Sequence, residues 1–424
     1  MTADRQAVVA TAGTAAGNSS PMRVLMIAPT SFFSHYGGHI RILEESRALE
    51  DLGHQVTVTT YYKGYDVPGV DIRRTAPLPW HADYEVGSSR HKLAFDLFLL
   101  AKVAQVGMTV RPHVVHGHMH EGALIGSLLA RVLRVPLVFD FQGSLTGEML
   151  DHGFIKADGA SFRFWRRLEE LIYGMPQAIL TSSEEAKRFL IHDFQVAKER
   201  IVPLPDCADL NHFSNDRFSP EEKSAWRRKL GIPEGRPIVA YLGLLASYQG
   251  TPHLLSAAAT LKQQGVDAHF LIMGYPNVDH YLAMARRLGV ADRVTLTGRV
   301  DYLNLAPRYL ALGDIAVSPK MSSTEGSGKV LNYMAMGQPV IAFDSPVHRE
   351  YLGEWGVYVP PGDVGGLAQA IASLLNDMPR RCELGAALRQ RAVRRYDWSV
   401  AAQRISTLYQ RLVKQNSVRI TELV

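Results

Sequence analysis

Glu325, Gly326, Ser327, Gly328, Lys329 and Asn332 lie within a few residues of one another in the stretch Asp314 to Asp344, DIAVSPKMSSTEGSGKVLNYMAMGQPVIAFD. Their types in this order suit a phosphorylated ligand. An apolar strand (Ile315 to Val317) leads into a small polar loop. A helix is predicted from about Lys329 to Met336, stopped by Gly337, and Pro339 opens the next strand. Such a loop presents backbone N–H groups at a helix N-terminus, and its glycines allow close approach, so geometry and dipole both favour an anion. Glu325 can accept hydrogen bonds from sugar hydroxyls. Lys329 and Asn332 share one helix face and can address one ligand. Small residues are common at strand–helix turns, and an isolated Gly-x-Gly would carry no more meaning than that. The acid, glycines, lysine and helix together favour a phosphate site.

Other residues invite chemistry less strongly. His116 and His118 are separated by one residue on a predicted strand and face the same side, with His113 and His120 nearby. A metal cluster is conceivable there. No cysteine joins them and an apolar helix follows, so histidines of the core or of a cleft are the preferred reading and no metal is expected. His118, at the strand's carboxyl end, is a candidate contact to an acceptor. Asp140, also at a strand end, is a candidate, with loop capping the preferred reading. Arg163, Phe164, Trp165, Arg166 and Arg167 suggest either contact with an anionic membrane or, preferably, aromatic packing with solvated arginines. Cys207 and Cys382 have no metal-ligand spacing and read as free thiols in a reducing compartment.

The elements that must position these residues come in two series. Arg23 to Ala28 is a nearly continuous apolar strand. A loop with Gly37-Gly38 follows, then a helix from His39 to Leu52 ended by Gly53, then a β-branched strand from Gln55 to Thr60. His113 to His116, Pro136 to Phe141 and Gln177 to Thr181 continue the series. The second series is Ile238 to Leu242, Ala268 to Met273, Val294 to Thr297, Asp314 to Val317 and Val340 to Ala342. Alternating strands and helices in two sets predict two doubly wound Rossmann-like α/β domains with ligands at the strands' carboxyl ends. The expected divisions are a disordered tail at 1–21, a first domain at 22–205, a connection at 206–230, a second domain at 231–396, and a crossing helix and tail at 397–424.

With 424 residues, 46% apolar and 21% charged, the chain can bury two cores. Its net charge of +5 is spread along the sequence. No basic stripe with interleaved aromatics points to nucleic acid. The longest apolar run, Leu93 to Val110, is broken by Asp96 and Lys102, so no membrane span is expected. The first twenty residues lack the apolar centre of a signal peptide.

The segment around Glu325 resembles the donor-binding signature of the retaining, group 1 (family 4) glycosyltransferases. In that family an acid-Gly-x-Gly loop precedes a helix ending Met-Ala-x-Gly-x-Pro-Val, as Met334 to Val340 does here. Met22 to Ala28 with Gly37-Gly38 resembles the family's opening strand and loop. Leu52 to Val58, Val114 to His118, Pro205 to Asp209 with Phe213, and Tyr396-Asp397-Trp398 resemble its later landmarks in order. The resemblance runs from Met22 to about Val413. It implies the GT-B fold: two Rossmann-like domains facing a central cleft, with a C-terminal helix crossing back to the first. It also implies a nucleoside-diphosphate-sugar donor in the second domain, an acceptor in the first, retention at the anomeric carbon, and no metal or other cofactor. Glu325, Gln142 and His118 are the expected catalytic residues. Gly243, Tyr248, Gln249, Lys320 and the group Glu325, Gly326, Ser327, Gly328, Lys329 and Asn332 are expected to bind the donor. Gly37 and Gly38 form the acceptor or phosphate loop. The acceptor is a glycan, lipid-linked or small molecule, as in polysaccharide or cell-envelope biosynthesis. The expected location is cytoplasmic or peripheral at the inner membrane face.

The chain departs from the family pattern at four positions. Asn332 stands where a second acid usually binds the ribose, and Leu244 and Gln249 stand where Arg and Lys usually clamp the diphosphate. Gln142, in Gln142-Gly143, replaces a histidine. Two lost cations weaken a diphosphate site, and Lys329 and Lys320 are the expected replacements. The departures keep two alternatives open, a catalytically silent partner subunit and a nucleotide-sugar epimerase. A Rossmann dehydrogenase is disfavoured, because no Gly-x-Gly-x-x-Gly turn follows the first strand directly, with an acid ending the second.

Overall fold

The computed structural model describes residues 20–34, 37–77, 92–151, 154–157, 159–321 and 326–421. Most of the expected N-terminal tail lies outside them. The first domain runs β1 (Arg23–Ala28), α1 (Gly37–Asp51), β2 (Gln55–Thr60), β3 (Asp71–Arg74), α2 (Lys92–Val110), β4 (Val114–His118), α3 (Met119–Leu133), β5 (Leu137–Phe141), α4 (Leu145–Asp151), α5 (Ala160–Gly174), β6 (Ala178–Thr181), α6 (Glu184–Phe194) and β7 (Ile201–Pro203). Its strands form one sheet in the order β3-β2-β1-β4-β5-β6-β7. Every pairing is parallel. Central strands of such a sheet are covered on both faces, which is why β1, β4 and β5 are apolar or fully buried along most of their length.

The second domain runs α7 (Pro220–Lys229), β8 (Ile238–Leu242), α8 (Thr251–Gln263), β9 (His269–Met273), α9 (Val278–Arg287), β10 (Val294–Leu296), α10 (Ala306–Leu310), β11 (Ile315–Ser318), α11 (Gly328–Ala335), β12 (Val340–Phe343), α12 (Pro346–Leu352), β13 (Val357–Val359), α13 (Val364–Asn376) and α14 (Met378–Arg395). Its parallel sheet has the order β10-β9-β8-β11-β12-β13. The stretch expected to be a plain connection holds α7, begun by a capping box of Ser219 and Glu222 with Pro220 in the first turn. Trp226 of α7 packs edge-on against Tyr309 of α10, so this helix belongs to the second domain's packing.

The last helix, α15 (Trp398–Thr421), returns to the first domain. Its Ser406 hydroxyl meets His54 Nε2 at 2.8 Å, and its Tyr409 hydroxyl meets His116 Nδ1 at 2.7 Å. One continuous apolar cluster joins β1 and α1 to Trp398, Ile405 and Tyr409, and on to Tyr302 and Met334 of the second domain. Where the chain crosses between domains, the backbone N–H of Ala208 donates to the Tyr396 carbonyl at 2.9 Å.

Strand order reverses between β1 and β4 in the first sheet and between β8 and β11 in the second. Connections leave these neighbours in opposite directions, which opens a crevice at their carboxyl ends.

Candidate functional site

The two crevices share one cavity of about 440 Å³. Gly37, Gly38 and Gln142 reach it from the first domain. Gly243, Tyr248 and Gln249 follow β8, and Lys320 follows β11. Gly326, Ser327, Gly328, Lys329 and Asn332 line the cavity from the start of α11. These residues stand as far apart in sequence as Gly37 and Asn332, yet the fold brings them together. Glu325 lies outside the described residues.

The donor-side loops are fixed from below. Gly250 has a φ of +80°, and a Cβ there would come 1.9 Å from the Pro319 carbonyl oxygen. Only glycine lets the β8 loop lie against the β11 loop in this way. The N–H of Met321 then donates to the Tyr248 carbonyl at 2.8 Å. Ser327 takes the cap position of α11 without a side-chain cap bond. Its hydroxyl lies 3.3 Å from His348 Nε2 and 3.3 Å from Ser318 Oγ. His348 is anchored by its Nδ1 at 2.6 Å from the Phe343 carbonyl, and burial lowers its pKa to about 4, so the ring is neutral. The helix end is thus held by its neighbours, and it addresses the cavity with its N–H groups and positive dipole.

Cations gather at this end. Lys329 Nζ donates to Gln249 Oε1 at 2.8 Å and to the Tyr241 hydroxyl at 3.3 Å, and lies 4.5 Å from the centre of the Tyr241 ring. Gln249, which stands where a lysine was expected, therefore holds the lysine supplied by α11. Lys320 is only 4% exposed and donates to the Gly326 carbonyl at 2.7 Å. It is a structural part of the loop, in contrast to the solvated lysine that sequence alone allows. Asn332, 5% exposed, accepts from the Tyr302 hydroxyl at 3.2 Å. The amide that replaces the expected acid thus already has a neutral partner.

The first-domain wall rests on a buried polar network that sequence reasoning missed. Arg41 of α1 donates from Nε and Nη2 to Asp140, from Nη1 to Asp206 Oδ1 at 2.9 Å, and from Nη2 to the Leu204 carbonyl at 3.1 Å. Gln142 Nε2 donates to Asp140 Oδ2 at 2.9 Å, and His118 Nδ1 lies 3.1 Å from the same oxygen. Burial alone would raise the Asp140 carboxyl, but Arg41 and His118 hold it far below the usual carboxylate range. Asp140 is therefore the anion that orients Gln142, His118 and Arg41, a larger role than loop capping. The Gln142 amide oxygen would lie 2.7 Å from any Cβ at Gly38, so that glycine keeps room for it. Asp206 reaches across to the donor side: its Oδ2 would lie 2.8 Å from a Cβ on Gly326. Behind Gln142, Glu169 accepts from Ser144 Oγ and from the Leu145 N–H, both at 2.9 Å, and so fixes the start of α4. Burial would raise the Glu169 carboxyl, but its bonds with His120, Thr146 and Tyr173 bring it to about 2.

His118 differs from expectation. It is fully buried, stacked on His116 with ring centres 4.4 Å apart, and does not line the cavity. The strand's last side chain turns inward to Asp140 and His116, and Met119 and His39 line the cavity instead. Among the described residues, Glu45, His116 and His118 could gather around a cation, with ligand atoms within 4.8 Å of one another. Arg41 Nε already stands 3.1 Å from Glu45 Oε1, so a second cation would meet its repulsion. Burial and Asp140 push the Glu45 carboxyl well above its usual range despite Arg41. In the Arg163–Arg167 cluster the expected roles are partly exchanged: Phe164 is 61% exposed, while Arg166 stacks over Phe194 at 3.6 Å and donates to the Asp193 carbonyl.

Comparison with known proteins covers both halves of the cavity. Residues 37–207 match the glycosyl transferase 4-like domain, and residues 236–377 match glycosyl transferases group 1. A D-inositol 3-phosphate glycosyltransferase of Catenulispora acidiphila is 25% identical over 96% of this chain and 99% of its own. A Corynebacterium glutamicum protein described as a GDP-mannose-dependent monoacylated alpha-(1-6)-phosphatidylinositol monomannoside mannosyltransferase is 32% identical over 49% of this chain and 55% of its own. Among solved structures, Anabaena HepE, crystallised in complex with UDP-glucose, superposes with a TM-score of 0.73 at 17% identity, covering 92% of this chain and all of that one.

Proposed function

Because the chain belongs to the group 1 glycosyl transferases and has their GT-B fold, we propose that it transfers a hexose from a nucleoside diphosphate sugar to an acceptor, with retention at the anomeric carbon and without a metal. The observation that carries this reading is Lys329, held by Gln249 and Tyr241 beside the N-terminus of α11 at the switch point of the second sheet. In this reading Lys329 and the α11 dipole neutralise the diphosphate, a task otherwise given to a cation clamp or a divalent ion. The Lys320 bond to Gly326 keeps the loop shaped for it. Tyr248 and Gln249 shape the pocket, and Asn332 with Tyr302 addresses the ribose. Glu325 is assigned the donor-sugar hydroxyls on its sequence position.

Gln142, aligned by Asp140, offers its amide oxygen toward a sugar hydroxyl near Gly37 and Gly38. It cannot exchange a proton near neutral pH. The leaving phosphate therefore takes the acceptor's proton as the new glycosidic bond forms on the face it vacates. A lipid-linked acceptor is the preferred class, supported by the phosphatidylinositol-based acceptor in the Corynebacterium relative's name.

Calorimetry with a panel of nucleoside diphosphates and their sugars, in EDTA, tests the donor site. Selective binding of one base, with diphosphate affinity weakened about tenfold or more in Lys329→Met, is the expected result. Loss of all binding on chelation would refute the metal-free reading. Proton NMR of the first product then reads the anomeric configuration.

A further inference from the structure

Helix α2 is apolar on nearly every side and is long and apolar enough to cross a membrane by length and composition. It instead packs on the first sheet through Phe95, Leu99, Val103 and Val106. The outward side remains apolar. Leu93, Leu97, Ala101, Ala104 and Met108 follow one another at helical spacing along it. Leu93 is 75% exposed and Leu97 67%. Helix α3 lies alongside, its Leu129 against Gly107, and adds Leu128 and Val132, the latter 73% exposed. Scattered exposed leucines are ordinary, but a continuous strip across two helices marks a surface that something covers.

Among the described residues of the two helices and their ends, the charges left to the strip have one sign. Both carboxylates of the two helices are engaged: Asp96 accepts from the Tyr61 hydroxyl at 2.6 Å, and Glu121 is paired with Lys92. Arg111, Arg131 and Arg134 stand exposed where the two helices end. Both helices run antiparallel to the sheet, so these ends lie together, away from the cleft. The opposite end of the strip begins beside the cleft, because Glu121, the partner of Lys92, is two residues from the cavity-lining Met119.

We propose that this flank docks on an anionic phospholipid surface. Helix α2 lies in the interface plane, with Leu93, Leu97 and Met108 among the acyl chains and the three arginines at the head groups. A second copy of the chain fits less well, since a two-fold contact with these helices parallel would set arginine-rich ends against each other, and an antiparallel one would leave them without a negative counterpart on the two helices, whose carboxylates are engaged. The purpose of the docking rests on the transferase reading above: it sets the cleft mouth at the surface where a lipid-linked acceptor lies.

Flotation of the full chain with vesicles tests this, using phosphatidylcholine alone or mixed with phosphatidylglycerol. The expected result is binding to the mixed vesicles, weakened by salt. Leu97→Asp with Val132→Asp should lower it by about tenfold or more. Arg131→Glu with Arg134→Glu should reduce it to the level on phosphatidylcholine. Wild-type protein that stays with the buffer, or apolar variants that float as well as wild type, would overturn the proposal. So would a dimer, seen by sedimentation, that Leu97→Asp dissolves while no vesicle binding occurs. The substituted side chains are exposed, and thermal melts check the fold. Nucleotide binding by the same variants separates the two readings: intact binding with failed flotation removes only the membrane surface, and the reverse removes only the transferase site.

Discussion

Replacing Lys329 with methionine removes one charge and keeps nearly the same length of side chain. In the wild type the ammonium touches Gln249 Oε1 at 2.8 Å and sits 4.5 Å from the centre of the Tyr241 ring, beside the first turn of α11. A hydrogen bond to a charged partner is worth about 1.5–3 kcal/mol, and a diphosphate held here would use one. The expected loss of affinity is therefore on the order of ten- to 150-fold. The apo structure should tolerate the change, because the methionine can stay over the Tyr241 ring. Calorimetry should be run with the nucleoside, monophosphate and diphosphate of the preferred base. The diphosphate should lose most and the nucleoside almost nothing. A change below about threefold for the diphosphate, or an equal loss for the nucleoside, would refute the idea that α11 supplies the missing charge.

Gly38→Ala should leave the fold intact but push the Gln142 amide off Asp140, because the new methyl lies 2.7 Å from Gln142 Oε1. Turnover should fall while donor binding by calorimetry stays unchanged. Gly250→Ala should instead destabilise the second domain by roughly 3 kcal/mol, through the positive φ and the 1.9 Å approach to the Pro319 carbonyl. Urea denaturation measures it, and a loss under about 1 kcal/mol would mean that the two loops can part freely. Burial and the nearby Asp209 raise Glu44 to about 7. The folded state then prefers the protonated acid. Its contribution is fully present below the unfolded pKa near 4.5 and is lost as pH rises through about 7. Relative to Glu44→Gln, the wild type should lose about 3 kcal/mol between these limits, and parallel stability profiles for the two proteins would contradict the assignment.

Sequence carried the central architecture because buried parallel strands announce themselves. β1, β8 and β9 are apolar runs, and their bounds differ little from those predicted. Of the four edge strands only β10, read as Val294 to Thr297, did so. Asp71–Arg74 reads DIRR, three charges in four residues, and at the sheet's rim those side chains need no burial. β7 and β13 have three residues each, too short for any period to show. The donor wall was legible because loop, glycines and helix are contiguous. The Arg41–Asp140–Asp206 network was not, since its members lie 99 and 165 residues apart in pairs and each alone is an ordinary charged residue. Arg41, Glu44 and Glu45, charged residues set among the apolar Ile42, Leu43 and Leu49 of one short helix, were the signal that could have exposed it. His118 was placed correctly on its strand end, but strand register alone cannot tell a side chain buried against Asp140 and His116 from one open to the cleft.

The polypeptide passes between the domains twice, once before Ala208 and once after Tyr396. These two passages lie side by side, joined by the Ala208–Tyr396 hydrogen bond and a parallel bridge from Ala208 to Asp397. A pair of chains pinned at one place behaves as the pin of a door. The domains can swing about it, but sliding or separating would tear both passages together. Beside the pin, further bonds cross between the domains: the Tyr351 hydroxyl donates to the Ser182 carbonyl at 2.9 Å, and the Glu184 N–H to Glu350 at 2.9 Å, while the Tyr351 ring packs on Tyr396 with centres 5.5 Å apart. These crossing bonds reinforce the pin itself, so a swing of the domains about it keeps the two cleft walls in the same register.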